Sequence, residues 1–110
     1  MEGANVTGHS KKDKDRFQRL NDMGCIVCRQ TFGAFVQSEV AHCTSRGRRI
    51  GHQATIPLCP WHHRGVPMGS LSQKAMRELY GPSFAKSKAE FEEAFGTEQK
   101  LLEETNKWLG

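Results

Sequence analysis

The segment Thr55-Ile56-Pro57-Leu58-Cys59-Pro60-Trp61-His62-His63-Arg64-Gly65 carries the strongest structural signal in the chain. Its first residues form a short β-branched and apolar run that reads as a strand. Pro60 follows at once, and proline suits the first position of a helix, where its missing N–H leaves nothing unpaired. Gly65 and Pro67 then stop that helix after little more than a turn. A strand therefore runs straight into a short helix bearing two adjacent histidines. Cys59-x-x-His62 places a thiolate and an imidazole at the spacing of half a zinc site.

The matching half lies upstream. Cys25-x-x-Cys28 precedes Cys59 by 31 positions, counted from Cys28. Zinc takes four tetrahedral ligands, and three cysteines with one histidine are a common structural set. Cys25, Cys28, Cys59 and His62 are therefore expected to form one closed structural Zn2+ site that ties two distant turns together and contributes to folding. A redox dithiol would need a thioredoxin-like βαβ context, which is missing. Cys43 has no spaced partner and reads as a buried bystander.

Neighbouring residues on a helix diverge by about 100°, so His63 must face away from whatever His62 binds. His42 lies 21 positions before His63, at the end of an earlier strand pattern. A ββα arrangement would bring a strand end and a helix start together. The pair points to phosphodiester hydrolysis, with His42 as general base and His63 as ligand of a second, catalytic divalent ion. That ion is expected to be Mg2+ or Mn2+, with Zn2+ as the alternative. Glu39 and His52 are further candidate ligands, although Glu39 falls on the strand face opposite His42.

Working outward, two strands are expected at roughly 33–42 and 53–58. The alternation of Phe32, Ala34 and Val36 supports the first. Between them, Thr44 to Gly51 holds Arg46, Arg48 and Arg49 and reads as an exposed basic loop. With Arg64, these arginines are candidate contacts to DNA phosphates. Before the cysteines, Phe17, Leu20 and Met23 recur at helical spacing from Lys11 to Met23, with Ser10 as N-cap and Gly24 as stop. After Gly65, helices are expected over 70–80, from a Ser87-Lys88-Ala89-Glu90 capping box, and from Thr97 onward. Residues 1–10, with His9, read as a loose tail. Residues 11–110 read as one domain with C-terminal helices from about 70.

Bulk properties fit this picture. The chain has 110 residues, of which 36% are apolar, so its core is thin and a metal staple is physically apt. The formal net charge of +4 suits a phosphate-bearing partner. No apolar run approaches bilayer length and the polar start lacks a leader's apolar segment. A cytoplasmic protein is therefore expected, with thiols available as ligands.

The run from Thr55 to Pro67 resembles the HNH nucleases of phages and prophages, and is most similar to the phage recombination-enhancement (Ref) family of RecA-dependent nucleases. Cys25-x-x-Cys28, Glu39-Val40-Ala41-His42, Arg48-Arg49-Ile50-Gly51-His52, Gly81-Pro82-Ser83 and Phe91-x-x-x-Phe95-Gly96 extend the similarity across most of residues 16–102. The resemblance implies an α+β fold with a zinc-stabilised ββα-metal core and flanking helices. It implies DNA cleavage, with a RecA filament on single-stranded DNA as partner. It places the general base at His42, the catalytic metal ligand at His63 and the structural zinc on the cysteine pairs. Two departures stand out: HNH strands often carry a second ligand just before the base, where this chain has Ala41, and the motif's central Asn has no clear counterpart. Those departures sustain an alternative, a non-catalytic zinc module that binds DNA or a protein.

Overall fold

The computed structural model describes residues 10–110. The expected tail, with His9, lies outside the described residues except for Ser10, which caps the first helix. That helix, α1, spans Lys11–Met23. The Ser10 hydroxyl accepts the Asp13 N–H and the Asp13 carboxylate accepts the Ser10 N–H, so two otherwise unpaired donors are satisfied reciprocally. Leu20 and Met23 form its buried stripe.

Gly24 ends α1 with φ 82° and ψ 178°, a conformation open essentially to glycine alone. A Cβ there would stand 2.7 Å from the Phe35 ring and 3.1 Å from the Val36 carbonyl oxygen. The tight approach lets the Cys25 N–H donate to that same carbonyl at 2.9 Å, which aims the first cysteine inward. Gly24→Ala is therefore expected to destabilise the protein by roughly 2–4 kcal/mol, combining backbone strain with overpacking. Gly47→Ala, where φ is also positive but no atom lies within 4 Å of the added Cβ, isolates the backbone part. Urea unfolding of both variants checks the difference.

From Cys28 to Phe32 the chain forms a π-helical turn, and its effect reaches beyond it. Gly33 still donates to the Arg29 carbonyl and Ala34 to that of Cys28. The helical hydrogen bonding therefore uses donors that a strand from 33 would need, and β1 begins only at Glu39, spanning Glu39–His42. The alternation of Phe32, Ala34 and Val36 is local and does not mark a strand face. Next come β2, Thr44–Ser45, and β3, Arg48–Arg49, which pair as a small antiparallel hairpin. The expected basic loop is thus a two-stranded ribbon with Arg46 and Gly47 at its tip, both at positive φ.

Strand β4, Thr55–Leu58, pairs antiparallel with β1 and sets Glu39 opposite Leu58 and His42 opposite Thr55. All four residues of β4 are buried, because α1, α2 and α5 all pack against it. Helix α2 is Pro60–Arg64, and its order β1, β4, α2 places two paired strands directly ahead of a helix. Helices α3, Gln73–Tyr80, α4, Lys88–Phe95, and α5, Glu98–Leu109, complete the chain. Ser72 and Thr97 cap α3 and α5.

The capping box expected at Ser87 does not form. Arg77 of α3 donates to the Ser87 hydroxyl and pairs with Glu90, taking both members of the box for a tertiary contact. One apolar core runs from Met23, Ile26 and Val27 through Ile56, Leu58 and Trp61 to Met76, Phe91 and Leu101. The result is a small α+β fold with two antiparallel two-stranded sheets. Among the described residues no helix is long and apolar enough to cross a membrane.

Candidate metal centre and histidine couples

Cys25, Cys28, Cys59 and His62 converge, with their ligand atoms all within 4.8 Å of one another. Cys59 precedes Pro60, and its sulfur faces the first turn of α2, where the His62 N–H lies 3.5 Å away. Individual separations are 3.9 Å for Cys28 Sγ to Cys59 Sγ, and 3.8, 3.6 and 3.3 Å from His62 Nδ1 to the sulfurs of Cys25, Cys28 and Cys59. A tetrahedral zinc at ordinary bond lengths separates two sulfurs by about 3.8 Å and sulfur from nitrogen by about 3.6 Å. The donor set therefore fits zinc in both chemistry and spacing, and leaves no corner for water.

The surroundings complete the site. His62 Nε2 lies 2.9 Å from the Tyr80 carbonyl; a carbonyl only accepts, so Nε2 carries a proton and Nδ1 is the ring atom turned to the sulfurs, the one that would ligate a metal. Phe32, Phe91 and Phe95 surround the imidazole, with Phe32 stacked at 17°. Hydrogen bonds from Cys25 and Cys28 hold the Cys59 thiol far below its ordinary range, so it is a thiolate. Burial opposes charge on His62, but the Cys25 and Cys59 sulfurs outweigh it and push its pKa up to about 10. In the metal-free site His62 is thus doubly protonated, and a metal ion must displace the Nδ1 proton to bind.

His63, next along α2, points elsewhere. Its Nδ1 lies 2.9 Å from Glu39 Oε1, at the start of β1. Arg64 forms a two-pronged ion pair with the same carboxylate. Arg64, followed by His63, holds the Glu39 carboxyl below the usual range, so it stays ionised. The strand face opposite His42 is thus the face that meets α2, because α2 packs against β1.

His42 stands at the other end of β1. Its Nε2 lies 3.0 Å from His52 Nδ1, and the Phe17 ring meets both imidazoles edge-on. The candidates thus fall into two couples, Glu39–His63 and His42–His52. They occupy opposite faces of β1, three residues apart, or about 10 Å along the backbone. Arg46, Arg48 and Arg49 are exposed on the hairpin, while Arg64 is committed to Glu39. Cys43 is buried, and burial raises its pKa to about 11, which keeps it an inert thiol.

Two residues near the second couple were not singled out by sequence. Arg16 donates through Nε to the Thr55 hydroxyl at 2.8 Å and through Nη2 to the Thr55 carbonyl at 2.7 Å. Thr55 faces His42 across the ladder, and its hydroxyl donates to the His52 carbonyl at 2.9 Å. Arg16 thereby fixes the strand end that holds both histidines. It lies 39 positions from Thr55, on a helix face that reads as solvated, so no local signal marks it.

A family model described as recombination enhancement, RecA-dependent nuclease matches residues 9–109. No curated protein matches the chain.

Proposed function

The chain belongs to the recombination-enhancement, RecA-dependent nuclease family, and we propose from this premise that it is an HNH-type endonuclease that cuts DNA phosphodiester bonds. The observation that carries the proposal is the β1–β4–α2 unit, which pins His62 into the Cys3His cluster while its neighbour His63 meets Glu39. In this reading the unit is a ββα-metal core. Its flanking helices and zinc act as one domain over 11–110.

Glu39 and His63 would hold the catalytic cation. Their 2.9 Å separation equals the edge between adjacent corners of an octahedron of radius about 2.1 Å. Mg2+ or Mn2+ there would neutralise charge developing on the phosphate. Arg64 would turn from Glu39 toward the DNA backbone, joining Arg46, Arg48 and Arg49 as phosphate contacts.

His42 is the proposed base; its couple lies on the face of β1 opposite the cation pair, so the bound strand has to pass around the edge of β1 for one phosphate to meet both. His42 would take the proton of the attacking water, and its 3.0 Å contact with His52 would hold the ring in place. The imidazolium that forms can donate to His52, so His52 would act as a positioning residue for the base. The water oxygen forms the new bond to phosphorus, the P–O bond to the leaving strand breaks, and solvent protonates the departing oxygen.

The second reading, a non-catalytic zinc module, draws on Ala41 and on the Arg64 ion pair that engages Glu39. Purified zinc-loaded protein, single-stranded DNA with and without a RecA filament, a homologous plasmid and Mg2+ or Mn2+ separate the two. Cation-dependent cutting that requires the filament is the expected result. Binding without cutting under every condition would leave the module reading in place.

A further inference from the structure

Away from the histidine couples, a cleft of about 380 Å3 opens between α3 and the segment leading into α4. Trp61, Lys74, Arg77, Ser83 and Lys86 are among the residues that line it. The cleft abuts the end of α2. Gln73 donates to the Gly65 carbonyl at 3.0 Å. The Lys86 stem lies across Gly65, where an added Cβ would meet it at 2.8 Å. His63 is only two residues before Gly65, about half a helical turn away.

Its chemistry is that of an anion site. Glu90 engages Arg77, but among the described residues neither Lys74 nor Lys86 forms an ion pair, so two cations face the cleft uncompensated. Ser83 is 2% exposed, lines the cleft, and would lie 3.0 Å from a Gly65 Cβ through its hydroxyl. That side chain adds a neutral hydroxyl to the cleft wall. Ser87 leaves the first turn of α4 without a side-chain cap, because Arg77 has taken its hydroxyl. The Trp61 indole is fixed by its N–H bond to the Gly81 carbonyl at 2.9 Å and provides a flat apolar wall.

We infer that this cleft is a second DNA-backbone site, in which Lys74, Lys86 and the Ser83 hydroxyl hold a phosphate flanking the one that is cut. The inference rests on the nuclease reading and deepens it. It gives the end of α2 a second grip on the strand, besides the hairpin arginines. Contacts of this type position the strand and carry no sequence information.

The test is the salt dependence of single-stranded oligonucleotide binding, measured by fluorescence anisotropy for wild type and for Lys74→Gln/Lys86→Gln. Both lysines are exposed, so zinc content and melting temperature should be unchanged in the double variant. The expected result is an affinity loss of about tenfold at low salt, with a log–log salt slope shallower by about 1, given roughly 0.7 per phosphate released from a single strand. Wild-type affinity and slope in the double variant would overturn the cleft alone. Failure of the wild type to bind DNA at any salt would overturn the nuclease reading with it. Inorganic phosphate is the control ligand: if it shifts the amide resonances of Gly65, Ser83 and Ser87 while the oligonucleotide leaves them unmoved, the cleft binds small anions and not the backbone. Loss of filament-dependent cutting with DNA binding intact would reassign the cleft to an acidic protein surface.

Discussion

His42→Ala is expected to lower the DNA cleavage rate by roughly 10²–10⁴-fold, the range that a positioned general base supplies. The loss should fall on the chemical step, because His42 belongs neither to the Cys3His cluster nor to the arginine hairpin. Zinc content should therefore stay at the wild-type level, and DNA affinity should change little. His52→Ala removes only the group that orients the base, so its loss should be smaller and cleavage should retain its dependence on His42. Single-turnover cleavage at saturating protein, with zinc measured on the same samples, checks both. Cutting by zinc-loaded His42→Ala at the wild-type rate would move the base elsewhere.

Cys28→Ser is expected to abolish the cooperative thermal transition. Structural zinc in small domains contributes on the order of 10–16 kcal/mol of apparent binding free energy near neutral pH. A domain's whole stability is typically about 5–15 kcal/mol, so removing a ligand outweighs what the apolar core holds alone. Excess chelator should act in the same way on the wild type, more readily as pH falls, because protons compete with the metal for Cys28 and His62. Hydrogen bonding to Cys25 and Cys59 pushes the Cys28 thiol strongly upward, so its proton is the harder one to displace. Cys43→Ser is the control, since Cys43 is buried but lies outside the cluster. It should keep one zinc per chain and a cooperative transition. A zinc-free wild type that melts like the loaded protein would show the cluster to be incidental to folding.

Local chemistry made much of the scaffold legible. Ser10 and Gly24 bound α1, Pro60 opens α2, and Thr97 opens α5, because each acts on backbone groups within a turn of itself. The Cys3His set was legible for a related reason: each half is a contiguous turn with fixed spacing. What escaped depends on distant partners. Ser87 and Glu90 have the sequence of a cap, but Arg77 reaches them from another helix. Arg64 reads as a free cation, yet Glu39, 25 positions earlier, holds it. Glu39 was placed correctly on the face opposite His42; that α2 would cover this face is a matter of packing. The residues from Gly33 onward mimic a strand because alternation says nothing about donors already used by a preceding turn.

The arginine hairpin is joined to the rest by few ties. Cys43 exchanges hydrogen bonds with Ala54 and Ile50, and Thr44 is held by Glu98 at the start of α5. At its tip, a Cβ added to Gly47 would meet no atom within 4 Å among the described residues. Such a ribbon can be lengthened, shortened or exchanged at the tip without disturbing the zinc cluster or either histidine couple. If the proposed reading holds, the hairpin is therefore the part of the chain that can change length and charge most cheaply, and a new segment could be grafted between Ser45 and Arg48.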